Sequence, residues 1–332
     1  MSNSEKNFIE IDEERFELLD DDEIDNIPIV DSFVKKNKIG IGSGEGRLYV
    51  GSQKTRNFDD FFNNFQNKGF FLKKDFENYL NDAKFEYEQQ EQEYQKDISA
   101  SWQKYYLNLQ NFSNREFFTI ERAIGEKDTS RYYIRSYDDI FYKYFRSIIL
   151  PGISYVSILK LKNASGNIFF LFRPTLSYNF NPYYHPAKVI EVQENIKKNP
   201  ALTEEKKEQL REARKGQGAY RQRLMEESAE CIITRVNDER ILIASHIKPW
   251  SVSDDTEKID HNNGLSLTPT YDKLFDQGFI SFEDDGTILI SPYISPLNVK
   301  KMNLAQGRKY TVPPSDARKA YLAYHREHIF KK

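Results

Sequence analysis

The sequence holds one cysteine in 332 residues, Cys231, which excludes an intramolecular disulfide and any zinc site built from paired cysteines. A disulfide-stapled secreted scaffold is excluded with them, and a reducing cytosol is the expected compartment. Long apolar runs are also lacking. No stretch approaches the ~18 apolar residues of a spanning helix. The N-terminal MSNSEKNFIEIDEE is acidic where a signal peptide is basic and then apolar. The chain is therefore expected to be cytoplasmic, with no membrane partner. Net charge is small at −3, yet unevenly spread. Residues 1–31 carry twelve Asp/Glu against Lys6 and Arg15, a balance of −10, so the remainder carries +7. A mildly basic body tolerates a polyanionic partner without demanding one. The acidic leader reads as a disordered, solubilising arm.

Aromatic residues are abundant, with 24 Phe and 21 Tyr, enough bulk to fill the cores of two domains. The stretch GIGSGEGRLYVGS fits neither a P-loop nor a dinucleotide fingerprint and reads as a turn followed by a short strand, RLYV. From Asn57 to about Phe112, apolar residues such as Phe61, Phe62, Phe65, Phe76, Tyr79 and Leu80 recur at helical spacing and predict amphipathic helices with a core-facing stripe. The runs GISYVSILKLK and IFFLFRPTL, joined by NASGN, predict a β-hairpin. After the proline-containing NPYYHPAK, three short helices are expected, with breaks at Asn199-Pro200 and Gly216-Gln217-Gly218.

Chemistry concentrates in residues 231–291. CIITRV and ERILIASH read as β-like runs joined by a turn at Asn237-Asp238, with His246 closing the second. A loop leads to the strand GLSLT and then to a helix with Thr268 as N-cap, Pro269 in its first turn and Gly278 as its stop. On that helix Asp272 and Asp276 stand one turn apart on a single face, beside the apolar stripe of Tyr271, Leu274 and Phe275. Two such carboxylates can reach one hard, oxygen-preferring cation. A histidine, an asparagine seventeen residues later, and carboxylates nine and thirteen residues beyond that form a set that scattered surface residues rarely imitate.

Through ILIASHIKPW, HNNGLSLTPTYDKLFDQGFISF and the tail YLAYHREHIFKK, the sequence resembles the HNH nucleases of the ββα-metal fold, in particular their restriction-type members. The likeness spans about residues 217–332. Together with the composition and periodicity above, it gives an α+β chain of four parts: an acidic leader (1–31), an N-terminal mixed helix/sheet domain expected to read DNA (32–185), a helical linker (186–216) and a C-terminal nuclease domain (217–332). It further implies a metal-dependent endonuclease acting on double-stranded DNA and leaving 5′-phosphate and 3′-hydroxyl ends. His246 would be the general base, Asn263 the holder of its loop, and Asp272 and Asp276 the ligands of Mg²⁺ or Mn²⁺. Asn262 is the lesser choice for the holder, and His261 lies in the loop rather than on the strand. Lys248, Arg221 and Arg223 would contact phosphates. One module cuts one strand, which implies a homodimer or sequential nicks, and a restriction role implies a companion DNA methyltransferase. Ser245 stands where a metal-ligating Asp or His often precedes the histidine. Two other readings therefore stay open: a modification-dependent nuclease, and a DNA-binding protein whose HNH fold has lost its chemistry. An imidazole of ordinary pKa predicts activity that falls below about pH 6.5.

Overall fold

In a computed structural model, the chain is described for residues 7–30, 33, 46–52, 56–88, 98–123, 131–136, 140–177 and 181–332. It divides into two compact units, residues 1–182 and 183–332. The GIGSGE portion of the glycine-rich stretch lies outside the described residues, and the RLYV that follows begins a strand.

The first unit comprises β1 (Asn7–Ile11), β2 (Glu14–Pro28), β3 (Leu48–Ser52), α1 (Phe58–Phe61), β4 (Lys68–Leu72), α2 (Lys73–Glu88), α3 (Ile98–Leu109), β5 (Arg115–Thr119), β6 (Glu121–Ala123), β7 (Arg131–Arg135), α4 (Ile140–Ile148), β8 (Ser154–Asn163) and β9 (Ile168–Leu176). Among the described residues, one sheet runs β1-β2-β8-β9-β4-β5 and a smaller one β3-β7-β6. The hairpin at β8 and β9 forms as the sequence predicts, with Ile158 opposite Phe172 and Leu159 opposite Leu171. Those two pairs point to opposite faces, and both faces are covered, so the strands read as near-continuous apolar runs.

The acidic leader departs from expectation: it supplies β1 and β2 rather than a disordered arm. Phe16, Leu18, Ile24 and Ile27 are spaced through the acidic run, and all four are buried. Phe16 and Leu18 join the cluster on one face of the sheet, whereas Ile24 and Ile27 join the other. Irregularities in the β2–β8 register, between Leu18 and Glu23 and between Ile24 and Ile27, turn the strand so that each apolar residue finds a core. The helical region predicted over 57–112 is likewise interrupted. Its apolar run Phe70-Phe71 sends side chains to opposite faces, a strand's alternation, and β4 pairs in parallel with β9. Phe61, Phe62, Phe76, Tyr79 and Leu80 are core residues, at most 2% exposed, and so offer no platform for stacking bases.

The second unit contains α5 (Pro186–Lys198), α6 (Glu204–Arg214), α7 (Gly218–Glu227), β10 (Ile243–His246), β11 (Gly264–Leu267), α8 (Pro269–Asp276), β12 (Ile280–Phe282), β13 (Ile288–Ile290), α9 (Pro296–Lys301) and α10 (Asp316–His328). The helices expected as a linker belong to this unit's packing: Ile196 and Leu210 cluster with Trp250, and Ala213 joins the main core. Among the described residues, no helix is long and apolar enough to cross a membrane.

CIITRV is a correction to the sequence reading. It is a closed loop rather than a strand, tied by Cys231 N to Val236 O and Arg235 N to Cys231 O, with Arg235 at φ 63°. Cys231 is fully buried in the core. The strand partner of β10 is β11, antiparallel, with His246 opposite Gly264 and Ser245 opposite Leu265. Helix α8 starts after Thr268 with Pro269 in its first turn, and Gly278 at φ 72° ends the turn that follows. A side chain at Gly278 would collide with the Ile329 carbonyl of the C-terminal segment.

His325 on α10 is 1% exposed and lies flat on Phe275, with ring centroids 3.8 Å apart. Its Nε2 lies 3.0 Å from the Phe275 carbonyl and its Nδ1 2.9 Å from the Ser281 hydroxyl. Nε2 therefore carries the proton and Nδ1 accepts from Ser281. Burial pushes its pKa down to about 3. A histidine lowered in the folded state contributes stability that is complete above the unfolded value near 6.5 and is lost as pH falls toward 3, at about 1.4 kcal/mol per pH unit. Between pH 7 and pH 5 the wild type is expected to lose roughly 2 kcal/mol from this group alone. Thermal melts of wild type and His325→Gln at the two pH values check this. The variant's smaller acid loss is expected, and an equal loss in both would contradict it.

Candidate active site

The C-terminal core brings one strand end, one loop and one helix face together. Helix α8 packs against β10 and β11, so that Ser245 on β10 lies by Asp272 on α8. His246 closes β10, its ring partly exposed, and its Nε2 lies 3.0 Å from the Lys258 carbonyl. A carbonyl only accepts, so Nε2 carries the hydrogen and Nδ1 holds the lone pair. Burial pushes the imidazole pKa down to about 4, opposed by the Lys258 carbonyl. At neutral pH the ring is therefore an uncharged base. The expected fall in activity therefore moves from the pH 6.5 of an unperturbed histidine to lower pH.

Asn263 is 0% exposed, and its amide acts as the pin of the 247–258 loop. Its Oδ1 accepts from Lys248 N at 2.7 Å, while Nδ2 donates to the carbonyls of Lys248 at 3.2 Å and Glu257 at 3.1 Å. Its own backbone carbonyl accepts from Ile247 N, fixing the residue next to the histidine. Asn262, by contrast, bonds locally to Asp260. His261 sits in the same turn beside Asp260, at 3.8 Å.

Asp272 is partly buried, which raises its carboxyl pKa, and the Ser245 hydroxyl opposes that rise. The Ser245 oxygen is itself buried and completes no well-aligned hydrogen bond. Asp276 accepts from the Tyr184 hydroxyl at 3.0 Å. Among the described residues, no group of three or more His, Cys, Asp or Glu side chains converges on a point. The donors that could hold a cation are oxygens: the carboxylates of Asp272 and Asp276, with the Ser245 hydroxyl beside Asp272. Such a set suits Mg²⁺ or Mn²⁺ rather than zinc.

The basic residues expected at phosphates divide. Lys248 is partly buried, and its ammonium is held by both carboxylate oxygens of Glu257, at 2.7 and 2.5 Å. Arg221 donates to the carbonyls of Leu242 at 2.9 Å and Glu239 at 2.6 Å and so anchors the approach to β10. Arg223 is exposed on α7. Two residues that sequence reasoning did not single out also meet here. Tyr220 stacks on His246. Arg318, 1% exposed, reaches from α10 to Glu227 and to the carbonyls of Gly264, His261 and Pro313. No local pattern marks either; both lie far in sequence from the groups they touch.

Residues 231–283 match the family model of the HNH endonucleases, and the stretch is an HNH module. The match covers Ser245, His246, Asn263, Asp272 and Asp276 together. A search of curated proteins found no match to the chain. The match likens this part of the chain to endonucleases of the HNH family.

Proposed function

We propose that the chain is a metal-dependent DNA endonuclease in which His246 is the general base and Asp272 and Asp276 hold the cation. The observation that carries this reading is the state of His246: a neutral imidazole at the end of β10, with Nε2–H spent on the Lys258 carbonyl and the Nδ1 lone pair left over. Nδ1 takes a proton from water, the water oxygen attacks phosphorus in line, and the P–O3′ bond breaks. The leaving 3′-oxygen takes up a proton from solvent, which leaves 5′-phosphate and 3′-hydroxyl ends. When bound, a divalent cation supplies charge stabilisation at the phosphoryl oxygens and the leaving oxygen. Asn263 maintains the loop whose Lys258 carbonyl sets the tautomer. Of the three expected phosphate contacts, Arg221, Arg223 and Lys248, Arg223 is the most exposed.

The chemistry of the ends tests the reaction. Products are expected to religate with DNA ligase directly; products that need a kinase first would overturn the assignment. The metal assignment has a readout apart from cutting. Mg²⁺ is expected to raise the melting temperature of the wild type. Asp272→Asn is expected to abolish that rise without lowering the melting temperature in EDTA, because burial already disfavours the Asp272 charge. An unchanged Mg²⁺ response in the variant would remove Asp272 from the cation site.

A restriction-type role follows if the 1–182 unit reads DNA sequence, since a small nuclease module contacts mainly backbone. Two copies would then cut two strands, and a companion methyltransferase would protect host DNA. Ser245, which stands where a metal ligand often does, favours one alternative, a DNA-binding protein that retains the fold without the chemistry. A recognition unit that accepts only modified bases is the other. Cutting of unmodified DNA supports the first role, and cutting restricted to modified DNA the second alternative.

A further inference from the structure

The geometry points to Tyr220 as the positioning residue that fixes the plane of the His246 imidazole, an inference that rests on the general-base reading of His246. Tyr220 lies on α7, outside the 231–283 match. Its ring lies face to face with the imidazole, centroids 4.3 Å apart and planes within 8°. The tyrosine is 2% exposed, so its own orientation is set by the core. Its hydroxyl points at two backbone carbonyls, Ser245 O at 3.5 Å and Asn263 O at 3.3 Å. These carbonyls belong to the residue before the histidine and to the residue that pins its loop. One side chain thus touches the base and both segments that carry it.

Gly264 supplies an independent observation. It lies opposite His246 in the strand pair, and a Cβ there would sit 2.6 Å from the Tyr220 hydroxyl oxygen and 2.9 Å from Leu224 Cδ2. The backbone φ of Gly264 is an ordinary extended value of −143°, so no turn geometry demands glycine. The space its missing side chain leaves is the space Tyr220 fills. The Asn-Gly step after the loop therefore serves two purposes: Asn263 pins the loop, and Gly264 admits the tyrosine that backs the histidine.

The stack has a mechanical consequence. The Nε2 bond to Lys258 leaves the imidazole able to swing about that bond, and the flat contact with Tyr220 removes that freedom. A base held in a near-attack pose loses ~10²-fold in rate for a displacement of about 1 Å. Tyr220 is not expected to touch DNA, so its loss falls on the chemical step.

The experiment compares wild type, Tyr220→Phe, Tyr220→Leu and His246→Ala in full-length protein. It measures single-turnover cleavage and DNA affinity separately, and records the imidazole ¹⁵N and ¹H signals of His246, assigned by their loss in His246→Ala. Tyr220→Phe keeps the stack and is expected to cut within about threefold of wild type. Tyr220→Leu is expected to lose ~10²-fold in rate with DNA affinity within about threefold. Its His246 signals should lose the ring-current shift. Wild-type signals alone must show upfield-shifted His246 ring protons, whether or not Tyr220→Leu folds. Their absence would overturn the inference. So would a Tyr220→Leu protein that cuts like wild type while His246→Ala is dead. Cutting by His246→Ala instead overturns the general-base reading and leaves the ring signals to decide the stack.

Discussion

His246→Ala is expected to lower the cleavage rate by at least ~10² to 10⁴-fold while DNA binding persists. The alanine removes the Nδ1 lone pair and also the ring that bonds Lys258 O, yet the loop keeps its main pin, because Asn263 holds Lys248 and Glu257 without the histidine. Binding should therefore survive where chemistry does not. A variant that retains more than about a tenth of the activity would remove His246 from the base role. The pH dependence sharpens the test. An imidazole lowered to about 4 is already neutral at pH 5.5, so wild-type activity is expected to hold from pH 8 down to about pH 5 and to fail only below that. A midpoint near 6.5 would show a histidine that is solvated when DNA is bound.

Arg318→Ala is expected to be the most damaging substitution for stability, at ~3–5 kcal/mol. The guanidinium is 1% exposed and pairs with Glu227 through two nitrogens, at 3.2 and 2.5 Å. It also donates to Pro313 O at 2.7 Å and, at 3.3 Å each, to Gly264 O and His261 O. Alanine leaves three carbonyls without their donor, the Gly264 carbonyl in a buried part of the strand pair, and releases the partly exposed Glu227 carboxylate. The groups so orphaned include the start of β11 and the turn that carries Asn263. The second unit's melting temperature should fall by roughly 10–20 °C. Arg318→Lys should not restore it, because a single ammonium cannot span a fork of carbonyls and a bidentate carboxylate. A loss below about 1 kcal/mol would show that the cluster is dispensable.

What was legible in the sequence was local. The β8–β9 hairpin rests on adjacent apolar runs around a turn, and the frame of α8 rests on Pro269 and Gly278, each acting within a turn of itself, while Thr268 takes the N-cap position without a side-chain bond to the helix. The spacing from His246 to Asn263 and on to Asp272 was readable because a strand, a pinned loop and a helix must follow in that order. What was hidden was non-local. The leader becomes a strand because Leu18 meets Leu161 and Ile24 meets Ile158, more than a hundred residues away. Lys248 looks like a free cation until the loop folds Glu257 against it. CIITRV has the composition of a strand, but Ile232 N finds Ser266 O and the segment closes on itself instead. Tyr220 and Arg318 show the same limit at the site: each matters through a fold-dependent contact that no spacing encodes.

The central claim is that this chain cuts DNA with a histidine base and a divalent cation. Digestion of unmodified and cytosine-modified phage DNAs by the full-length protein, with Mg²⁺, with EDTA, and alongside His246→Ala, tests it most directly. Discrete fragments are expected from the wild type with Mg²⁺ alone, and the DNAs that yield them identify the target class. DNA left intact by the wild type with both Mg²⁺ and Mn²⁺, or cut equally by His246→Ala, would contradict the account.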